Sequence, residues 1–459
     1  MLSNIGHFEH NGRLGTRPLP FFHDGQLPNL WQLTDTKGMA QRFQRYFRLR
    51  HPKQRLRVVG CRVEQLYYRP EKSCKALYRI YYENRAGELN DQWFSAQMHP
   101  ADKSFAKFSR AEEKASKGVS FWEPINFWPE LDTIFWTFPH DPQLTQLLEL
   151  VQTKRIQRLF AAHFPTSDPL PEDIQFTRLK MMPRKRCLLQ FDGQPQFITK
   201  TYAKRINSLS KGDYAYHLFA DVYEATKHNE CLTVPKPLFY DVALDTYAQE
   251  LFAGETPTAT DDAETIERAA MTLAEFHQLN ELPNLQPSQR TADLVTQVQT
   301  KAALLEHFLP YDRRLPTIAN QLMLVAVVLG VSTPQQVPIH GAFRLNQLLG
   351  QNGRFAMLDL DDAGWGDPHL DVAECVASML GTHFTEKAPL AQLQANADTF
   401  IRAYQVRVPW TLEPARLHGY IALSLFNKLV GAFRRLETAV FPKVDALLQL
   451  IEDHLTEAV

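Results

Sequence analysis

The chain has 459 residues, 44% of them hydrophobic, a length that corresponds to about three domains and a composition that supplies a large core. A net charge of −1 gives no electrostatic case for a nucleic-acid or membrane-surface partner. The cysteines, Cys61, Cys74, Cys187, Cys231 and Cys375, are odd in number and form no CxxC pair. They predict reduced thiols in a cytoplasm rather than a disulfide frame or a zinc site. The opening MLSNIGHFEHNGRLG lacks a signal-peptide pattern, and the longest apolar run, LMLVAVVLGV, is too short to span a bilayer and predicts a buried helix.

In chain order, VEQLYYRPEKSCKALYRI and then WFSAQMH predict strands near the N-terminus. Further on, FTRLKMMPRKRCLLQFDG predicts a second hairpin, with a turn at Asp192-Gly193, and QFITKTY a following strand that carries Lys200. The two hairpin segments superimpose without gaps, matching Val63 with Phe176, Leu66 with Leu179, Pro70 with Pro183 and Cys74 with Cys187. Extending this internal repeat aligns WFSAQMH with QFITKTY and sets Gln97 opposite Lys200. HFPTSDPLPED and ELPNLQPSQRT read as linkers. A basic run, Arg178, Lys180, Arg184, Lys185, Arg186, Lys200, Lys204 and Arg205, suits either a phosphate-facing sheet or a solvated face.

YAYHLFADVYEA then predicts a helix burying Ala215, Leu218, Phe219 and Val222. TYAQELFAGETP is a strand running into Gly254, which permits a sharp turn. AAMTLAEFHQL places Ala269, Leu273, Phe276 and His277 on one helical face, with His277 read as packed or capping. The segment VPIHGAFRLNQLLGQNGRFAMLDLDD combines His340-Gly341, an amide at Gln347, an Asn352-Gly353 hairpin turn and Asp359 closing the second strand. Asp367, Pro368 and Asp371 follow, with Asp371 at a helix N-cap position before VAECVASML. LAQLQANADTFIRAYQV and HGYIALSLFNKLVGAFRRL are amphipathic helices suited to a helical lobe.

This arrangement resembles the aminoglycoside phosphotransferase and choline kinase superfamily, whose marks are an HGD loop, an amide five residues beyond its Asp, an IDFD-like strand and a GDP..D tail. The resemblance implies an α+β, protein-kinase-like bilobal fold, with an antiparallel small lobe at 172–253 and a helical large lobe with the catalytic loop at 254–459. Residues 1–162 would form an extra small-lobe-like α+β domain serving as a cap or platform. It further implies ATP and Mg2+ as cofactors, Lys200 on the nucleotide phosphates, Glu224 or Asp221 as its partner acid, and Glu250 in the passage that meets the adenine. Gln347 and Asp359 would be the metal ligands, His340 would brace the loop, and Asp371 would hold the loop through backbone amides. Sugar kinases of this superfamily such as maltokinase also use Gln at the metal position and carry an N-terminal cap.

At the position of the family's catalytic Asp stands Ala342. A methyl group cannot orient a hydroxyl, and loss of general-base catalysis typically costs about 100- to 10,000-fold. Three readings follow: a small-molecule kinase whose Asp was replaced by engineering, a natural pseudokinase that binds nucleotide and works through a protein partner on its N-terminal domain, and a scaffold without nucleotide. The expected partners are a nucleotide and a small-molecule hydroxyl acceptor.

Overall fold

The computed structural model describes residues 24–458 except 102, 114–120, 165–173, 193–195, 204–209, 332–334 and 387. Helix α1 (Thr36–Arg50) starts at Asp35, whose carboxylate accepts the Gly38 N–H as an N-cap. Its Met39, Phe43, Tyr46 and Phe47 form one buried face. Phe43 packs on Tyr78 and Phe94 of a first antiparallel sheet. That sheet contains β1 (Arg57–Arg69), β2 (Ser73–Glu83), β3 (Leu89–Met98), β4 (Ile125–Trp128) and β5 (Thr133–Thr137), with α2 (Lys103–Glu112) between β3 and β4. Two helices, α3 (Leu147–Leu150) and α4 (Thr153–His163), lead on to β6 (Phe176–Met182), β7 (Arg186–Phe191), β8 (Phe197–Tyr202), α5 (Lys211–Ala225), β9 (Leu232–Thr233), β10 (Pro237–Asp241) and β11 (Thr246–Glu250).

The two sheets follow one path. The first has the order β1-β2-β3-β5-β4 and the second β6-β7-β8-β11-β10, each with a helix inserted after its third strand. Their registers agree as well. Tyr68 pairs with Cys74 as Met181 does with Cys187, Lys75 with Gln97 as Leu188 with Lys200, and Gln97 with Ile134 as Lys200 with Tyr247. The repeat in the sequence is therefore a repeat in topology, and Gln97 takes the place that Lys200 holds in the second copy.

Because side chains alternate across a strand, each sheet has two distinct faces. In the first sheet Ala76, Tyr78 and Ile80 share a core with α1 and with helices of the C-terminal lobe, whereas Leu77 and Trp93 look the other way. That other face, which also carries Gln97, stacks on Met181, Cys187 and Leu189 from the back of the second sheet. Arg178 ties the stack together by reaching Asp91 at 2.8 Å, with its guanidinium lying over Phe138. Lys200 points out of the opposite face of the second sheet, toward the C-terminal lobe.

That lobe contains α6 (Ala263–His277), α7 (Leu294–Phe308), α8 (Leu315–Val331), β12 (Val337–Ile339), β13 (Leu348–Gln351), β14 (Arg354–Met357), β15 (Gly364–Gly366), α9 (Pro368–Thr385), α10 (Leu390–Arg407), α11 (Pro414–Arg435) and α12 (Val444–Glu457). The fold is thus the expected α+β, kinase-like one, with a second small sheet in front of it. The helices predicted around Ala215–Val222 and Ala269–His277 bury the residues named for them.

Several expectations need correction. The run LMLVAVVLGV is helical in α8 but only half buried, because Leu324 and Val328 are 68% and 65% exposed. The segment 281–291 is no slack linker, since Leu282 and Leu285 are buried and the Ser288 N–H donates to the Trp365 carbonyl. Gly254 serves close approach: a Cβ there would lie 2.8 Å from the Gly350 carbonyl oxygen, across the Glu255–Gly350 bridge. Gly193, Lys204, Arg205 and most of HFPTSDPLPED lie outside the described residues. No described helix is long and apolar enough to cross a membrane.

Candidate functional site

The loop 340–343 sits between β12 and the β13–β14 hairpin. Asn352 and Gly353 both adopt positive φ, 51° and 81°, as a two-residue turn of this chemistry requires. The second strand stops at Met357, so Asp359 lies beyond it rather than closing it, at φ 61° ahead of a single 3-10 turn. A hydrogen bond of 2.8 Å from the Leu358 N–H to the Gln347 carbonyl joins the two arms there. Gln347 and Asp359 therefore meet at one end of the hairpin.

The loop is held from beneath. Asp371 is fully buried and accepts hydrogen bonds from the His340 and Gly341 backbone amides at 2.5 and 2.9 Å, and from His277 Nε2 at 3.1 Å. Burial pushes its carboxyl up, but the bond from His277 and the loop contacts outweigh this and hold it below the usual carboxylate range. His277 receives the Tyr404 hydroxyl on its other nitrogen at 2.7 Å, so it is a packed residue. Asp371 is not an N-cap. Asp367 takes that position for α9, accepting the His369 N–H and holding Arg416.

His340 donates from Nε2 to the Leu358 carbonyl at 2.8 Å, which pins the loop to the strand that precedes Asp359. Gly341 has φ 78°, and a Cβ on it would meet the Asp362 carbonyl oxygen at 2.2 Å. Only glycine fits that crossing. Ala342 follows and is partly exposed, so a methyl group stands where the loop opens.

Lys200, 4% exposed, reaches Asp359 Oδ1 at 2.6 Å and Asp361 Oδ1 at 2.5 Å. Glu224 and Asp221 do not pair with it. Glu224 takes Lys227 on the outer face of α5, and Asp221 accepts the Asn284 amides. Glu250 ends β11, with its N–H on the Lys236 carbonyl, away from the carboxylate cluster.

Arg186, the first residue of β7, forms a fork with both Asp359 oxygens at 3.0 Å and also contacts Asp361. Tyr202 donates to Asp361 at 2.6 Å. Burial raises the Asp359 carboxyl, but Lys200 and Arg186 overcome this and hold it far below its ordinary value. For Lys200, burial alone favours the neutral amine, and Tyr247, Asp361 and Asp359 reverse this and keep it charged.

The sequence reading had Arg186 only as one of a basic run with Lys200, not as the partner of Asp359, and did not name Tyr202. Their signal was strand alternation, since buried Cys187 and Leu189 send Arg186 to the face of Lys200. Among the described residues no group of three or more His, Cys, Asp or Glu side chains is placed to hold a metal. The Asp359 and Asp361 carboxylates are nevertheless hard oxygen donors of the kind magnesium takes, one or two carboxylates completed by substrate phosphates, and the Gln347 backbone adjoins them through Leu358. The Arg186 guanidinium now holds the Asp359 oxygens that such an ion would need.

Residues 196–410 match the model of the phosphotransferase enzyme family. The chain is also similar in structure to choline kinase LicA from Streptococcus pneumoniae, at 16% identity and a TM-score of 0.44 over 65% of this chain and 98% of that one. A choline/ethanolamine kinase family protein from Mesorhizobium loti matches at 16% identity and a TM-score of 0.45, over 67% of this chain and 99% of that one. A thermostable mutant of aminoglycoside phosphotransferase APH(4)-Ia, in ternary complex with ADP and hygromycin B, matches at 14% identity and a TM-score of 0.41, over 66% of this chain and 99% of that one. No curated protein matches the chain in sequence.

Proposed function

We propose, from the match of residues 196–410 to the model of the phosphotransferase enzyme family, that this chain binds ATP between its second sheet and the 340–362 segment. The reaction we assign is phosphoryl transfer to a hydroxyl of a small polar metabolite, slowed by the alanine at position 342. The observation that carries this reading is the meeting of Lys200 with Asp359 beside a loop fixed by Asp371. In our reading residues 1–162 form the cap, 172–253 the small lobe and 254–459 the helical lobe.

Lys200 is a compact positive charge delivered by a rigid strand, suited to the nucleotide phosphates. Gln347 and Asp359 would hold magnesium, which would neutralise phosphate charge and orient the nucleotide. His340 fixes the loop to the strand before Asp359, and Asp371 fixes its backbone, so the acceptor would meet a preformed edge at residue 342. With no carboxylate there, transfer relies on positioning and charge alone, which still supply most of phosphoryl-transfer catalysis.

A second reading, a nucleotide-binding pseudokinase acting through a partner, is favoured by the combination of Ala342 with the Arg186 fork on Asp359. Titrating ATP calorimetrically with and without magnesium, then assaying Ala342→Asp against sugars, amino alcohols and aminoglycosides, separates the two. Under the enzyme reading Ala342→Asp gains about 100-fold or more in transfer rate. Nucleotide binding with no gain for any acceptor class favours the pseudokinase, and no binding at all sinks both.

A further inference from the structure

The cluster around Lys200 accounts for only part of the basic run. Arg184, two residues before Arg186 on the turn between β6 and β7, leaves that site entirely and enters a cavity of about 620 Å³ on the first sheet. The cavity lies on the Gln97 face, over Ile134 and Trp136, where α2 packs through Phe108 and Ala111. In the second copy the same face bears Lys200 and α5. The register thus places the cavity on the first copy's counterpart of the nucleotide-facing surface.

Its lining is strongly positive. Lys107 and Arg110 on α2 stand at the rim, and Arg184 lies inside with its guanidinium over the Trp136 ring at 5.2 Å. Among the described residues none of the three has a carboxylate within ion-pair distance. Lys107 has only His99, donating to its Nδ1 at 3.0 Å, and burial together with Lys107 and Arg184 pushes His99 down to about 4, so the ring is neutral. The single acid in the lining, Asp141, accepts the backbone amides of Gln143, Leu144 and Arg184, and its charge offsets part of that of Arg184. Three cations against one amide-bound carboxylate, around a cavity of ligand size, call for an anion from outside.

We propose that this cavity binds a phosphate-bearing small molecule, with Lys107 and Arg110 as point and fork donors at the entrance and Arg184 as the inner donor. An aromatic floor beside the cations suits a phosphorylated metabolite better than a bare ion, because Trp136 offers an apolar surface to its carbon part. The site is independent of whether phosphoryl transfer occurs at Ala342.

The test is calorimetric titration of inorganic pyrophosphate, without magnesium, into the full chain and into Arg184→Ala, Lys107→Ala and Lys200→Ala. Binding weakened about tenfold or more in both Arg184→Ala and Lys107→Ala, and moved less than about twofold in Lys200→Ala, is the expected result. Lys107 is on an exposed helix face, so that variant reads the site even if Arg184→Ala fails to fold. Absence of heat with the native chain overturns the proposal, as does binding that only Lys200→Ala removes, which would place the anion in the nucleotide site.

Discussion

Arg186 decides what the carboxylates at the hairpin end can do. It spends both arms of its fork on Asp359, and Lys200 fills the remaining direction, so the Asp359 pair is neutralised from inside the protein. A divalent ion must displace that fork before it reaches Asp359. Arg186→Ala is therefore expected to tighten magnesium-dependent ATP binding by about tenfold, worth about 1.4 kcal/mol, read by calorimetry at matched ionic strength. Unchanged affinity would mean that the fork opens at no cost. That Lys200 stands on a strand and that His340, Gln347 and Asp359 gather about one hairpin was legible, because strand alternation and a short motif place them locally. The pairing of Arg186 with Asp359 was not, because the two lie 173 positions apart and meet only through the way the second sheet faces the C-terminal lobe.

The helices were legible in position from their apolar periodicity, yet what fastens them together was not. Asp371 sits at a cap position in the sequence, where Asp367 takes the cap instead, and the hold of Asp371 on the loop amides is the role that the family resemblance implied. At the far end of the lobe α11 and α12 meet through His418 and His454, whose Nδ1 atoms lie 2.8 Å apart. Burial and the neighbouring His418 push His454 down to about 4. A histidine with a lowered folded value binds its proton more readily when unfolded, so its penalty is absent at pH 7 and grows as pH falls from about 6.5 toward 4. Stability should drop by about 2 kcal/mol between pH 7 and 4.5 from this group. In His454→Gln the slope of melting temperature against pH over that window is expected to flatten, and an unchanged slope would remove His454 as its cause.

At the scale of the whole molecule the first sheet is a structural member of both lobes. One face shares a core with the C-terminal helices, where Tyr68 packs on Phe308 at 5.8 Å, and the other stacks on the second sheet through Trp93 and Cys187. The ungapped sequence match gave this copy its strands, whereas its two buried faces, Tyr78 on one and Leu77 on the other, emerge only in the structure. What each face would meet was not readable, since stacking order is not encoded within either repeat. Arg178 lies in the interface between the sheets, so Arg178→Ala leaves Asp91 with Arg79 alone and removes a guanidinium stacked on Phe138. We expect a loss of about 2–4 kcal/mol, with the two sheets still unfolding in one urea transition. Two separate transitions would show that the stack is not one cooperative unit.

Two lobes joined only by the strand that leaves β11 would be free to hinge about Gly254. Here the stacked repeat works as a splint laid across that hinge, glued to the moving part on each side. Opening the cleft would have to shear an apolar seam on at least one side, a cost that a single connecting strand does not impose. Nucleotide and acceptor would then come and go by local swings of side chains such as Arg186, while the outline of the molecule in solution scattering stays the same with and without ligand.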